Sequence, residues 1–355
     1  MDTFTSFHQE KKLNEMASEI INFWDQGQFS SFTGVDEISI HYACFFHKND
    51  IDETSVEPIN HQRENKAVEQ ATIVIVPGRC EGYLKYQELA FDLFHQGYNL
   101  FIIDHRGQGL SGRLLTNLNK GYVVNFQDYV TDLGYFIDNI VMKDNVNKPY
   151  LLAHSMGGAI SLRYMQDCPM TIKAAVIASP MLGFNSGLLP KFLAQKIVSI
   201  KSLLNSTFEK ILNKEPNYFW GQKDYYSKSF TKNKLTHSTT RYQAFIDLYG
   251  NNKLIQLGGV TTHWLVQGIK AQKKIFTELV NLKTPILLLQ AGEDSIVNQQ
   301  AQNDFCKKLH NIQPQSCPSG SPSRIEGAYH ELFFESDEYR NNAIAQTLSW
   351  FEQHQ

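Results

Sequence analysis

Residues 150–160 read Tyr150-Leu-Leu-Ala-His-Ser155-Met-Gly-Gly-Ala-Ile160 (YLLAHSMGGAI), and the way this stretch turns decides the fold. The apolar run Tyr150–Ala153 has the length and continuity of a strand buried on both faces. Helix-forming sequence resumes at once, over Gly158–Asp167. Ser155 therefore sits on a tight strand-to-helix turn, where residues two before and two after it must be very small. Ala153 and Gly157 meet that need, with Ala153 standing where the nucleophile-elbow pattern has its first glycine. The helix start behind the serine favours developing negative charge. A serine in an ordinary βα turn is the plainer alternative, and the flanking strand and helix argue against it.

Outward from this turn the same grammar repeats. Thr72–Val76, Leu100–Ile103, Ala174–Ala178 and Ile286–Gln290 read as further buried strands, and Tyr86–His95 and Phe126–Val141 as helices between them. Strand and helix in alternation imply right-handed crossovers and an α/β fold with a mostly parallel, doubly wound sheet. The alternation stops over residues 181–272, too long for an unstructured loop, so a helical insertion is expected there. Its Leu189, Leu193, Ile197, Ile200 and Leu204 form one apolar helical stripe. The core is thus expected over 71–180 and 273–355. Residues 1–70 should add a helix over Ile20–Phe29 and a leading hairpin from Phe32–Gly34 and Ile38–Phe46. Gln313–Ser323, rich in Pro, Ser and Gly, reads as a surface loop.

Composition excludes several classes. Of 355 residues, 42% are hydrophobic and 19% charged, enough to bury a sizeable core and too apolar for a disordered chain. A net charge of −3 speaks against a nucleic-acid binder driven by overall basicity. Five cysteines without CxxC spacing suggest neither a disulfide framework nor a zinc site, and fit a reducing cytoplasm. The first residues lack a signal-peptide pattern, and no apolar run is long enough for a spanning helix. Neither a secreted precursor nor an integral membrane protein is expected.

A serine needs a base, and the base an orienting acid. After the strand Ile286–Gln290 comes Ala291-Gly-Glu-Asp294-Ser-Ile-Val297, which makes Asp294 the candidate acid, with Glu293 and Asp304 as competitors. Of the twelve histidines only His310, His330 and His354 follow it. His330, in Gly327-Ala-Tyr-His330-Glu331 just past the short run Arg324–Ile325, is the candidate base. His154 stands beside the nucleophile and is expected to support the turn. The backbone N–H groups of Met156 and of Arg79, in the loop Pro77-Gly-Arg-Cys-Glu-Gly82, are the candidate oxyanion donors. The Arg79 side chain is left with three readings: a phosphate contact, a pair with Glu81, or a surface arginine. Asp104-His-Arg-Gly-Gln-Gly109 lacks a dinucleotide fingerprint and reads as a tight structural turn.

Six stretches carry a wider likeness: 77–115 (PGRCEGYLKYQELAFDLFHQGYNLFIIDHRGQGLSGRLL), LLAHSMGGAIS, LTHSTTRYQ, GGVTTHWL, LLLQAGEDSIV and GAYHELFFE. Together they resemble the α/β hydrolases of the monoglyceride-lipase and lysophospholipase branch, and within it the bacterial lysophospholipases of the inner-membrane type. The resemblance runs from about residue 30 to the C-terminus. It implies a serine esterase that cleaves the acyl ester of a lysophospholipid to fatty acid and glycerophosphodiester, with no cofactor and no metal. By motif it makes Ser155 the nucleophile, Asp294 the acid where relatives can carry Glu, His330 the base, and Arg79 and Met156 the oxyanion hole. Residues 181–272 become a cap over the acyl pocket. A monoacylglycerol lipase, a broad carboxylesterase or an acyltransferase is the alternative, and a non-catalytic binding protein a more distant one.

Charge is distributed unevenly. Between Pro190 and Thr236 nine lysines face Glu209, Glu215 and Asp224, a net +6 that leaves −9 for the rest of the chain. A basic cap bearing Tyr218-Phe219-Trp220 suits peripheral contact with an anionic membrane, here the inner face of the cytoplasmic membrane. A solvated lysine-rich surface is the plainer alternative.

Overall fold

In the computed structural model, residues 9–47, 70–143, 147–185 and 214–355 are described. Helix α1 (Leu13–Trp24) leads into an antiparallel hairpin of β1 (Gln28–Thr33) and β2 (Ser39–Phe45). Then follow β3 (Thr72–Val76), α2 (Gln87–His95), β4 (Asn99–Ile103), α3 (Phe126–Phe136), β5 (Tyr150–His154), α4 (Ser155–Asp167) and β6 (Ala175–Ala178). After the insertion come β7 (Ile286–Ala291), a C-terminal-half helix Gln299–Ile312, β8 (Ser323–Ile325) and a last helix, Asp337–Glu352. The eight strands form one sheet in the order β1-β2-β4-β3-β5-β6-β7-β8. From β4 onward every pairing is parallel.

The physical cause is burial. All residues of β3, β5 and β6 are buried, as continuous apolar runs require when helices cover both faces. One core lies on the α3–α4 side, around Phe101, Phe136, Leu151 and Ile177. The other gathers Ile75, Leu89, Leu152, Leu289 and Leu348 on the α2 side. Each such fully buried side chain contributes about 1.5–3 kcal/mol relative to exposure. The chain runs from β3 to β4 on one side, then crosses back to β5 on the other. This reversal opens a crevice at the carboxyl ends of β3 and β5, where ligands bind in folds of this kind.

Two local expectations change. The N-terminal helix ends at Trp24 instead of reaching Phe29, whose backbone pairs with Ala43 in the hairpin. Gly27 lies in the turn that follows, where a Cβ would lie 2.4 Å from the Phe45 ring, so glycine lets this turn pack closely on β2. The helix expected over Phe126–Val141 is continuous, but its last turn, Ile137–Val141, is a π-turn. Asn125 starts it by accepting from Gln127 N, and Asp128 accepts from Asn125 N in return.

Within the insertion, the described residues form α5 (Thr239–Asn251) and α6 (Thr262–Thr277), started by Ser238 and Thr261 side chains that accept from Arg241 N and Trp264 N. The apolar stripe Leu189–Leu204 lies outside the described residues. The expected boundary at 272 falls inside α6. Trp264, Ala271 and Ile275 of this helix are buried in the same core as α3 and α4, so α6 belongs to both parts. The two remaining long helices, Gln299–Ile312 and Asp337–Glu352, are α7 and α8.

Candidate active site

Ser155 follows β5 and begins α4 with φ at +51°, a left-handed conformation rarely held by a residue with a side chain. Such strain costs about 1–3 kcal/mol and persists only where the surroundings enforce it. Here the enforcement is tight packing. Ala153 pairs with Val76 in the sheet, and a Cβ on Gly157 would lie 2.2 Å from the Val76 carbonyl oxygen and 2.3 Å from that of Pro77. The α4 N-terminus is thereby pressed against the end of β3.

Asp294 follows β7 and His330 follows β8, both at strand carboxyl ends. The structure brings them to the serine. His330 Nε2 lies 3.0 Å from Ser155 Oγ, and His330 Nδ1 lies 2.7 Å from Asp294 Oδ2. A carboxylate only accepts, so Nδ1 donates to Asp294 and Nε2 is left to accept from the serine hydroxyl. The other oxygen of Asp294 accepts from Ile296 N at 2.8 Å and Val297 N at 3.1 Å. Burial pushes this carboxyl upward. The His330 hydrogen bond and charge, with the two backbone donors, outweigh it and hold Asp294 below the usual carboxylate range. The competing acids stand elsewhere: Asp304 accepts from Gln300 on α7, and the His330 Nδ1 that Glu293 would need is taken by Asp294. His310 and His354 bond to the Cys317 and Trp350 carbonyls.

The N–H groups of Met156 and Arg79 donate to no protein acceptor among the described residues, as oxyanion donors must. The Arg79 loop is braced on all sides. His105 Nε2 donates to Pro77 O at 3.0 Å, Gln108 Nε2 to Gly78 O and Glu81 O, and Tyr249 OH to Cys80 O at 2.7 Å. The Asp104–Gly109 turn is thus more than a tight turn, because its His105 and Gln108 side chains buttress this loop. Burial holds His105 down at about 4, so its imidazole is neutral, and pushes Asp104 up to about 7.

A buried charged cluster beneath the site was missed by sequence reasoning. His154 Nε2 lies 3.2 Å from the His330 carbonyl oxygen, and Nδ1 lies 3.3 Å from Glu81 Oε2. Lys85 Nζ bonds to both Glu81 and Glu331, and Tyr86 OH donates to Glu81 at 2.7 Å. With acceptors at both nitrogens, His154 is stabilised as the imidazolium. Burial alone would lower its pKa, but Glu81 and then Glu331 raise it, while Lys85 and His154 hold Glu81 well below the carboxylate range. Glu81, His154 and Glu331 stand close enough to hold a metal, yet Lys85 already occupies the place of a cation between the two carboxylates. The i, i+4 spacing of Glu81 and Lys85 is the one local signal that could have shown the pair. Arg79 does not pair with Glu81. Its Nη2 donates to Gly258 O at 2.6 Å and its guanidinium lies over the Trp264 ring.

A mostly parallel sheet that presents a serine, an aspartate and a histidine in chain order on three strand-end turns defines an α/β hydrolase. Comparison with known proteins narrows this. The family model Hydrolase_4, described as "Serine aminopeptidase, S33", matches residues 67–337, and the chain belongs to that family, in its monoglyceride-lipase-like branch. It is 36% identical over 335 residues to Lysophospholipase L2 of Escherichia coli (strain K12), covering 94% of this chain and 90% of that protein. Monoglyceride lipase of Rattus norvegicus is 28% identical over 284 residues, covering 79% of this chain and 82% of that protein. Among solved structures, a soluble variant of monoglyceride lipase from Saccharomyces cerevisiae, in complex with a substrate analog, superposes with a TM-score of 0.65. It is 18% identical and covers 92% of this chain and 94% of that one.

Proposed function

We propose that the protein is a serine carboxylic ester hydrolase that removes the acyl chain of lysophospholipids, releasing fatty acid and a glycerophosphodiester. The observation that carries this is the continuous Asp294–His330–Ser155 hydrogen-bond chain in a protein so similar to a lysophospholipase. Ser155 Oγ attacks the ester carbonyl as His330 Nε2 takes its proton, and the oxyanion forms between Met156 N and Arg79 N. The imidazolium then protonates the departing glycerol oxygen. Water, deprotonated by the same nitrogen, attacks the acyl-enzyme and frees the fatty acid. Asp294 stays ionised throughout and stabilises the imidazolium, which its depressed pKa permits. A fatty-acid release assay on a panel of lysophospholipids and monoglycerides tests the reading. The similarity to monoglyceride lipase makes a monoglyceride the second substrate class to compare.

Residues 181–272 act in this reading as a cap that also meets the lipid surface. Among the described residues, Trp220 is 64% exposed and Tyr226 50% exposed, with Lys223 Nζ 3.9 Å and Lys228 Nζ 5.8 Å from the Tyr226 ring centre. Exposed aromatics beside lysines are what an anionic leaflet attracts, and peripheral docking at the inner face of the cytoplasmic membrane follows. No helix among the described residues is long and apolar enough to cross a membrane.

A further inference from the structure

Arg79 supplies a main-chain donor to the oxyanion, but its side chain is unaccounted for. Three other cations in this part of the fold have carboxylate partners: Lys85 has Glu81 and Glu331, Arg106 has Asp132, and Lys120 has Glu215, whereas Arg113 is held by the carbonyls of Gly109, Ser111 and Leu254. Arg79 forms no ion pair with any described residue. Its Nη1 donates to the neighbouring Cys80 thiol, its Nη2 to the Gly258 carbonyl, and its buried Nε–H has no partner among the described residues. The guanidinium carbon lies 5.6 Å from the Trp264 ring centre, so one face of the cation rests on an indole.

A guanidinium held by neutral acceptors, with an unused N–H, is an expensive arrangement unless an anion completes it. A second donor stands nearby. The buried Tyr225 hydroxyl has no partner among the described residues, its ring stacks on Tyr249, and Tyr249 OH donates to Cys80 O. The Tyr225 backbone also packs on Gly258, the residue that anchors Arg79. Cys80 itself is held at φ +63°, which fixes the loop in one strained form.

We propose that the Arg79 guanidinium, assisted by Tyr225, recognises the phosphodiester of the substrate headgroup and so selects lysophospholipids over uncharged monoglycerides. This rests on the lysophospholipase reading. The geometry suits it because one residue carries both groups: the Arg79 main-chain N–H faces the oxyanion while its guanidinium is fixed by Gly258 and Trp264 of the following insertion, and in the substrate only a three-carbon glycerol separates scissile ester from phosphate. Arginine presents parallel N–H groups to two phosphate oxygens, which a lysine cannot do.

The test compares wild type, Arg79→Met and Arg79→Lys on a lysophospholipid and a monoglyceride with the same acyl chain. A hydrolysis-resistant ether lysophospholipid and inorganic phosphate serve as inhibitors of monoglyceride turnover. Arg79→Met is expected to lower kcat/KM for the lysophospholipid ~10–100-fold more than for the monoglyceride, the worth of a charge-assisted contact. The ether lipid should inhibit at least ~10-fold more weakly, with Arg79→Lys in between. Equal losses on both substrates, or fluorophosphonate labelling slowed in the same proportion, would place Arg79 in loop structure alone and overturn the proposal. Phosphate competing as well as the ether lipid would overturn the lipid-headgroup assignment in favour of a free-anion site. A wild type that spares lysophospholipids but is inhibited by the ether lipid through Arg79 would sink the lysophospholipase reading and leave the headgroup site standing.

Discussion

The imidazole of His154 reaches from beside the nucleophile to the backbone carbonyl of His330, 3.2 Å away, while its other nitrogen faces Glu81. The residue before Ser155 therefore holds the loop of His330, whose Nε2 lies 3.0 Å from Ser155 Oγ. His154→Ala is expected to reduce kcat about 10-fold and to destabilise the fold by about 3 kcal/mol, because Glu81 would lose one of its buried cationic partners. Urea unfolding and steady-state kinetics on the variant check both effects.

The same contact predicts a pH dependence. The folded-state pKa of His154 is raised above its ordinary 6.5, so its stabilising contribution is complete below that value and fades as pH rises through the folded value. The stability gap between wild type and His154→Ala should be full below about pH 6 and shrink as pH rises from neutral into the alkaline range. Glu81 and Asp294 are depressed and act in the opposite sense. Their contributions are present above the ordinary carboxylate values and disappear as acid protonates them through the folded ones. Urea midpoints across pH report each limb, and a gap that stays constant from neutral to alkaline pH would contradict the His154 assignment.

Strain at the elbow can be measured directly. With φ at +51°, position 155 favours glycine over alanine by about 1 kcal/mol, so Ser155→Gly should unfold at higher urea than Ser155→Ala although both lack the hydroxyl. Equal midpoints would show that the turn carries no strain.

Gly157 has no such freedom, since the atoms its Cβ would strike are backbone carbonyls at 2.2 and 2.3 Å. Gly157→Ala must push α4 away from the β3 end, widening the gap between Met156 N and Arg79 N. A loss of about 10²-fold or more in kcat, of the order seen on removing one oxyanion donor, is expected in a protein that still folds. Circular dichroism and ester hydrolysis together separate this outcome from global unfolding.

Membrane docking makes its own prediction. Replacing Trp220 and Tyr226 by alanine should weaken sedimentation with vesicles rich in anionic phospholipid, and raised salt should weaken it in the wild type. Turnover of a short, monomeric ester should be unaffected. Binding that ignores both lipid charge and these side chains would deny the basic cap a role at the membrane.

Much of this architecture was legible because it rests on local chemistry. Thr72–Val76 coincides with β3, and the other central strands differ from expectation by a residue at their ends, since continuous apolar runs have one stable place in such a sheet. Ser155, Asp294 and His330 could be picked out because each follows a strand and their chain order matches the fold. Long-range contacts were not legible. Nothing in the spacing of Glu81, His154 and Glu331 shows that they meet, because the sheet, not the sequence interval, brings them together. Gln313–Ser323 looked like a surface loop from its composition, yet Ser316 and Cys317 are buried, with Ser316 Oγ donating to Leu282 O at 2.9 Å. The side-chain role of Arg79 likewise depended on where Gly258 and Trp264 of the insertion came to lie.

The central claim is that Ser155 is the nucleophile of a lysophospholipid ester hydrolase. The most direct test is fatty-acid release from a lysophospholipid by wild type and by Ser155→Ala, with circular dichroism confirming that both are folded. Release by the wild type and a fall of at least about 10⁴-fold in the variant are expected. Comparable release by both proteins would contradict the claim.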